Sequence, residues 1–361
     1  MDASFDIAII GAGMAGASLA AALAGEARVL LVEAEAQPGY HATGRSAAFW
    51  TESYGGEGVQ PLTTASGRFL RDGGFLSPRG ALTIGRAGRE VEVEAFARMF
   101  ADLGVRVEML NRAALTDRVP GLRPEWTAGA MEPDCCDIDV AGLHQHYLAA
   151  ARRADVELWR SARLRSAVED RHGWRLTMED GREAKCGVLV DAAGAWADVV
   201  ARAAGVAPLG IAPFRRTIAQ LRVAPAVAAD LPLVLDLDET FYFKPEAGRL
   251  WLSPHDETPS PPCDAAPEEL DVATAIDRLE QVVDWRVERV EHRWAGLRSF
   301  APDRLPVYGF DPVSPRFFWF AGQGGFGIQT APAAADLAAR LLLGWAGGAI
   351  DPMRYSPGRF G

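Results

Sequence analysis

The chain reads as α/β with an α+β portion, and three features of the sequence predict this. Its opening alternates strand, glycine turn, helix and strand. Its middle, from about 213 to 300, changes to aromatic-rich extended runs. Its end returns to strand, glycine loop and helix. That order predicts a Rossmann-like domain with buried parallel strands, joined to a second part built on an antiparallel sheet.

The elements follow in chain order. Ile7 to Ile10 is a short apolar run of the buried parallel type. Gly11-Ala12-Gly13-Met14-Ala15-Gly16 comes next, and Ala17 to Leu23 is rich in helix formers. Val29 to Val32 is a second buried strand that ends at Glu33 and Ala34. Arg89 to Leu103 reads as an amphipathic helix. Asp139 to Ala154 reads as another, with Asp139 as its N-cap. Val188-Leu189-Val190 is a strand that runs into Asp191-Ala192-Ala193-Gly194-Ala195-Trp196. Thr240 to Lys244 and Leu250 to Leu252 do not alternate cleanly, yet their composition and intervening turn predict antiparallel strands. Thr258-Pro259-Ser260-Pro261-Pro262 reads as a surface loop. Phe317 to Ala321 is a strand, Gly322 to Gly327 a glycine loop, and Ile328 to Leu343 a helix.

Gly11, Gly13 and Gly16 form a GxGxxG pattern between strand and helix. The first glycine serves the tight turn, the second lets backbone approach a pyrophosphate, and the third lets helix and strand pack closely. The helix N-terminus then offers free N–H groups to phosphate. Glu33 stands 17 residues beyond Gly16 at a strand end, where an acid accepts from a ribose 2′-OH and repels a 2′-phosphate. Together these predict a dinucleotide. The N-terminal position of the motif, the Ala192 to Trp196 turn and the second glycine-rich helix start at 322–327 favour a flavin over a nicotinamide. That second start can aim N–H groups at the ring system where charge builds on reduction.

Composition limits the partners. The formal net charge is −11 across 361 residues, which disfavours nucleic acid and anionic membrane. No apolar run reaches membrane-spanning length, so no transmembrane segment is expected. Met1-Asp2-Ala3-Ser4 carries acid rather than base, so no signal peptide is expected either. The 4 cysteines, Cys135, Cys136, Cys186 and Cys263, form no CxxC and no zinc spacing, and free thiols in a reducing, cytoplasmic setting are expected. His144 and His146 lie two apart on one helix, hence on different faces, and make no metal site.

These residues resemble the D-amino acid oxidase/dehydrogenase family of FAD enzymes, most closely its bacterial D-arginine dehydrogenase branch. The matching stretches are Gly11 to Ser18, Gln37 to Ala48, Asp191 to Trp196, Phe241 to Pro245, Trp294 to Phe300 and Gln323 to Thr330. The resemblance implies a discontinuous FAD-binding domain, residues 1–80, 140–212 and 301–361, and a substrate domain, 81–139 and 213–300. It implies non-covalent FAD, hydride transfer from a substrate Cα to flavin N5, and an imino acid that hydrolyses to a 2-oxo acid. It places FAD against Gly11, Ala12, Gly13, Ala15, Gly16, Glu33 and Ala34, against His41, Thr43, Gly44, Arg45, Ser46 and Ala47, against Ala193, Gly194 and Trp196, and against Gly324, Gly325, Gly327, Ile328, Gln329 and Thr330.

The resemblance also implies the substrate residues. Arg298 matches the family arginine whose planar fork pairs a carboxylate, and Arg216 a second carboxylate contact. Tyr242 and Tyr54 match active-site tyrosines, and the Gly325 carbonyl an acceptor for the amine. Phe49 stands where the D-arginine branch has a histidine, and Ala81 where it has a glutamate. Loss of the acid removes the reason to prefer a cationic side chain, so a neutral or apolar D-amino acid is expected. In related dimethylglycine-type dehydrogenases a histidine in the His41 context carries flavin covalently. In the D-arginine branch it does not. A sarcosine- or glycine-type oxidase on the same scaffold and a non-catalytic FAD-binding subunit are the alternatives. Either O2 or a quinone can serve as the electron acceptor.

Overall fold

The structure is a computed structural model that describes residues 3–361, so Met1 and Asp2 of the opening segment lie outside the described residues. The first sheet has 8 strands. Its centre is the Ala3–Ile10 strand, flanked in parallel by Val29–Val32 on one side and Glu183–Asp191 on the other. Phe317–Ala321 adds in parallel to Glu183–Asp191 beside it. Strands of this kind are covered on both faces, which is why Val29 to Val32 and Phe317 to Ala321 are apolar at nearly every position and fully buried. The Met14–Ala22, Val140–Arg153 and Ala331–Leu343 helices lie on one side of it.

The second sheet has 10 strands. Its spine is the long antiparallel pair Ala212–Ala224 and Arg286–Phe300. Arg249–Ser253 and Tyr242–Glu246 follow, in register with Tyr242 opposite Ser253. One pair in this sheet is parallel, Leu233–Asp236 with Ala81–Arg86. Gln323–Gly324, from the C-terminal glycine loop, pairs with Ser299 and Phe300. That pairing draws the loop of one sheet onto the edge of the other.

The helix of 89–103 forms as Glu90–Asp102, and that of 139–154 as Val140–Arg153, with the Asp139 carboxylate accepting from Gly142 N. Two expectations need correction. The C-terminal helix begins at Ala331 rather than Ile328, because Pro332 fits only the first turn of a helix and leaves Ile328 to Thr330 in the turn before it. The Thr258–Pro262 stretch is not all loop: Thr258 and Pro259 pair with Arg215 and Phe214. A proline is tolerated there because the strand is a two-residue edge that needs little donation.

Candidate active site

A cavity of about 460 Å³ runs from the glycine motif to the arginine-bearing face of the second sheet. At its first end Gly11 has φ +104°, and a Cβ there would sit 2.5 Å from the Ala192 carbonyl oxygen. Gly16 packs harder still, with a Cβ position only 1.8 Å from the Gly11 carbonyl oxygen. The glycines therefore let the Ile10 strand end, the Met14 helix start and the Ala192 turn converge. Gly13 and Ala15 face the cavity at the helix N-terminus, where Thr43 Oγ1 accepts from Met14 N at 2.9 Å.

Glu33 and Ala34 line the same end. The Glu33 carboxylate accepts from Ala12 N at 3.0 Å and from Glu35 N at 2.9 Å. Each oxygen keeps a lone pair for a ribose hydroxyl. His41 lines the wall with its Nε2 3.0 Å from Glu35 and its ring 4.6 Å from Trp196. Thr43, Arg45 and Ser46 continue that wall, and Ala193, Gly194 and Trp196 face it. Arg45 donates to the Ala265 and Ala295 carbonyls at 2.8 and 3.2 Å and pairs with Asp264, tying the first segment to the second sheet. Gly324, Gly325, Gly327 and Ile328 close the far end.

Six residues expected at the cofactor do not face this cavity. Ala12 is fully buried and donates to Glu33, and Gly16 lies beneath Gly11. Gly44 closes a turn onto the Gly39 carbonyl, and Ala47 packs beside Phe49. Gln329 donates to the Tyr54 carbonyl and to Thr63 Oγ1 and accepts from Thr51 N, while Thr330 donates to the Phe326 carbonyl. These two side chains hold the loops that carry Tyr54 and Phe326.

At the sheet end, Arg216 stands opposite Gly296 and Arg298 opposite Phe214. Opposed residues share a face and alternate ones return to it, so Arg216 and Arg298 point the same way as diagonal neighbours. Arg216 is 3% exposed. Its Nε donates to the Asp256 carbonyl at 2.8 Å and its Nη2 to Glu257 at 3.1 Å, whereas its Nη1 is buried without a partner. Arg298 Nη1 donates to the Gly325 carbonyl at 3.1 Å, and its Nε is buried without a partner. The Tyr242 hydroxyl, two strands along the sheet from Arg216, is a third orphan. Nearby charge of opposite sign and burial compete at Arg216, and the outcome keeps its guanidinium protonated.

The rings of Phe49, Tyr54 and Tyr242 cluster next to the arginines and do not themselves line the cavity, but Tyr54 Oη reaches Gly325 and Arg298 Nη1 at its edge. Their rings meet at 5.3 and 5.9 Å across Phe49, and Tyr54 meets Phe326 at 5.1 Å. Ala81 is buried in this cluster beside Cys135. Two residues here carried no motif. Glu132 is buried and accepts from Thr51 and Ser53 hydroxyls, both at 2.6 Å, and from Glu52 and Ser53 N–H, which fixes the loop before Tyr54. His255 touches Tyr54 and Tyr242. Burial, with Arg216 nearby, pushes its ring down to about 2.

All four cysteines are free. His144 bonds the Ala12 carbonyl at 2.9 Å, whereas His146 packs on Phe69 and Phe75. No helix among the described residues is long and apolar enough to cross a membrane.

The cleft fits FAD. It is glycine-walled at a helix N-terminus, acid-tipped for a ribose, and closed by a second glycine loop at the sheet that carries Arg216 and Arg298. Comparison with known proteins agrees. The family profile described as FAD dependent oxidoreductase (DAO) matches residues 6–341. The chain is 26% identical to a glycine oxidase of Pseudomonas aeruginosa over 97% of this chain and 98% of that protein. Its fold is similar to L-proline dehydrogenase from P. horikoshii (TM-score 0.87, 19% identity, 100% of this chain and 98% of that one). It is also similar to glycine oxidase from Geobacillus kaustophilus (TM-score 0.84, 21% identity, 98% of each chain).

Proposed function

Because the chain belongs to the family of FAD dependent oxidoreductases, with FAD as its non-covalent cofactor, we propose that it oxidises the carbon–nitrogen bond of a small D-amino acid with a neutral or apolar side chain. The observation that carries this reading is a pair of guanidiniums on the wall of the cofactor cleft, Arg216 and Arg298, each with a buried, unpartnered N–H at Arg216 Nη1 and Arg298 Nε, with the unpartnered Tyr242 hydroxyl close to Arg216. A buried donor without an acceptor is costly, and a carboxylate bound between the two arginines gives their free N–H groups an acceptor. An inert subunit has no use for such a clamp.

FAD held in the cleft would supply the two-electron acceptor for oxidation of the carbon–nitrogen bond, and the imino acid so formed would hydrolyse in water to a 2-oxo acid and ammonia. The chain's own residues do the positioning. Arg298 and Arg216 hold the acid end, Tyr242 donates to it, and the Gly325 carbonyl keeps a lone pair for the amine. Phe49 and Ala81 pack with Tyr54 and Tyr242 in one apolar cluster next to the clamp, and neither brings a charge there. Two acids near the clamp, Asp256 and Glu257, are committed to Thr217 and to Arg216 with Arg304. Residues 1–80, 140–212 and 301–361 take the FAD role in this reading, and 81–139 with 213–300 the substrate role. The four free thiols favour a cytoplasmic setting, and the acceptor is O2 or a quinone.

A second reading, a glycine- or sarcosine-type oxidase, is favoured by the ring contacts of 5.1 to 5.9 Å next to the arginines, which restrict the room for any side chain. Anaerobic mixing of the yellow holoprotein with D- and L-amino acids, glycine and sarcosine separates the two readings by which substrate bleaches the flavin fastest. D-arginine and D-lysine outpacing every neutral substrate would overturn both. Admitting air afterwards tests O2 against a quinone.

A further inference from the structure

His255 lies two residues beyond the Arg249–Ser253 strand in a left-handed backbone conformation, φ 51°. Its Nδ1 faces the Glu239 carbonyl and its Nε2 lies 3.3 Å from the Tyr54 hydroxyl. A carbonyl only accepts, so Nδ1 carries a hydrogen. The ring can carry a second hydrogen, on Nε2, only as an imidazolium. It is half-buried and faces Arg216, Arg298 and Arg304, all of which oppose that charge, while the Glu239 carbonyl favours it. Nε2 is therefore a bare acceptor, and the Tyr54 hydroxyl donates to it.

This fixes what Tyr54 can offer a substrate. Its one hydrogen is taken by His255, so its oxygen can only accept. That oxygen stands beside the clamp: a Cβ placed on Gly325 would lie 3.0 Å from Tyr54 Oη and 2.6 Å from Arg298 Nη1. Building on the amine-oxidising reading above, we infer that His255 is a positioning residue that makes Tyr54 an acceptor for the substrate amine instead of a donor to its carboxylate. The two ends of the substrate then meet opposite chemistries. The carboxylate meets the donors of Arg216, Arg298 and Tyr242. The amine N–H groups meet two acceptors, Tyr54 Oη and the Gly325 carbonyl. Tyr242, whose ring also touches His255 at 5.6 Å, is not drawn into this bond, since its hydroxyl has no partner.

The test uses the FAD-loaded full chain and two substitutions. His255→Asn suits the left-handed backbone and keeps an amide hydrogen for Glu239, but removes Nε2. His255→Gln restores an acceptor at the reach of Nε2. Nitrogen NMR of the substrate-free protein should show His255 as the neutral Nδ1–H tautomer at pH 6. With D-alanine and sarcosine as amine probes, His255→Asn should lower kcat/KM roughly three- to tenfold, the worth of one neutral hydrogen bond. Binding of acetate, a carboxylate without an amine, should change less than about twofold on the same scale, read from the flavin spectrum. His255→Gln should recover most of the loss, and in a Tyr54→Phe background His255→Asn should cost nothing further. An Nε2–H tautomer, or acetate weakened as much as the amines, overturns the inference. If neither amine reduces the wild-type flavin, the amine-oxidation reading fails, while the tautomer still decides the Tyr54–His255 arrangement.

Discussion

Replacing Arg298 with alanine tests the clamp at the point where its geometry is most explicit. The guanidinium offers a buried, unpartnered Nε and is braced by its Nη1 bond of 3.1 Å to the Gly325 carbonyl. A carboxylate held there gains charge-assisted hydrogen bonds, each worth about 1.5–3 kcal/mol, of which alanine removes all that Arg298 supplies. Arg216 remains, buried and charged, and recovers part of the loss. The net expectation is about 3–4 kcal/mol, or two to three decades in kcat/KM. Lysine keeps the charge but loses the fork and the brace, and should fall between alanine and wild type. Anaerobic stopped-flow reduction of the bound flavin gives both half-saturation and limiting rate, with the loss expected mainly in half-saturation. FAD content should be unchanged, because Arg298 lies at the sheet end of the cleft. An Arg298→Ala protein that reduces within threefold of wild type at the same half-saturation would refute the clamp.

Three further outcomes follow from the same geometry. Gly16→Ala drives a methyl into the Gly11 carbonyl at a 1.8 Å position, so the purified protein should lose its bound flavin absorbance; an unchanged yellow protein would contradict the packing. Glu132→Ala leaves two hydroxyls and two N–H groups without their acceptor and should cost about 2–4 kcal/mol in urea unfolding, with a loss below about 0.5 kcal/mol counting against the role assigned to it. His255 is held below its ordinary 6.5, so the folded chain binds fewer protons than the unfolded one between that value and about 2. Its contribution to stability is therefore present above pH 6.5 and is lost on acidification, by up to about 1.4 kcal/mol per pH unit. Urea midpoints of wild type should fall more steeply from pH 6 to pH 5 than those of His255→Asn, and equal slopes would show that the ring is not held neutral.

Much of this arrangement is legible in the sequence because local rules and the fold agree there. Gly11, Gly13 and Gly16 sit between an apolar run and a helix former stretch, and the structure makes that turn. Arg216 and Arg298 come from distant segments, yet the antiparallel pairing of their strands puts them on one face. What the sequence hides is direction. Gln329 and Thr330 adjoin cavity residues but turn inward to brace loops, and Gly44 and Ala47 serve a turn and a core. Motif adjacency does not say which way a side chain points. His255 is hidden for a different reason: it lies past its strand in a left-handed conformation, so no alternation predicts its facing. Glu132 looks like any strand-end acid until the Thr51 to Ser53 loop folds over it. The pairing of Thr258 and Pro259 depends on an edge that the sequence does not reveal.

The central claim is that a carboxylate anchor beside the flavin selects amino acids over plain amines. The most direct measurement is anaerobic reduction of the holoprotein by matched pairs, D-alanine against ethylamine and sarcosine against dimethylamine, followed by flavin absorbance. The arrangement of Arg216, Arg298 and Tyr242 predicts that at least one amino acid bleaches the flavin at least a hundredfold more efficiently than its decarboxylated partner, on the order of the clamp energy above. Equal bleaching by both members of each pair, or by neither, would contradict it.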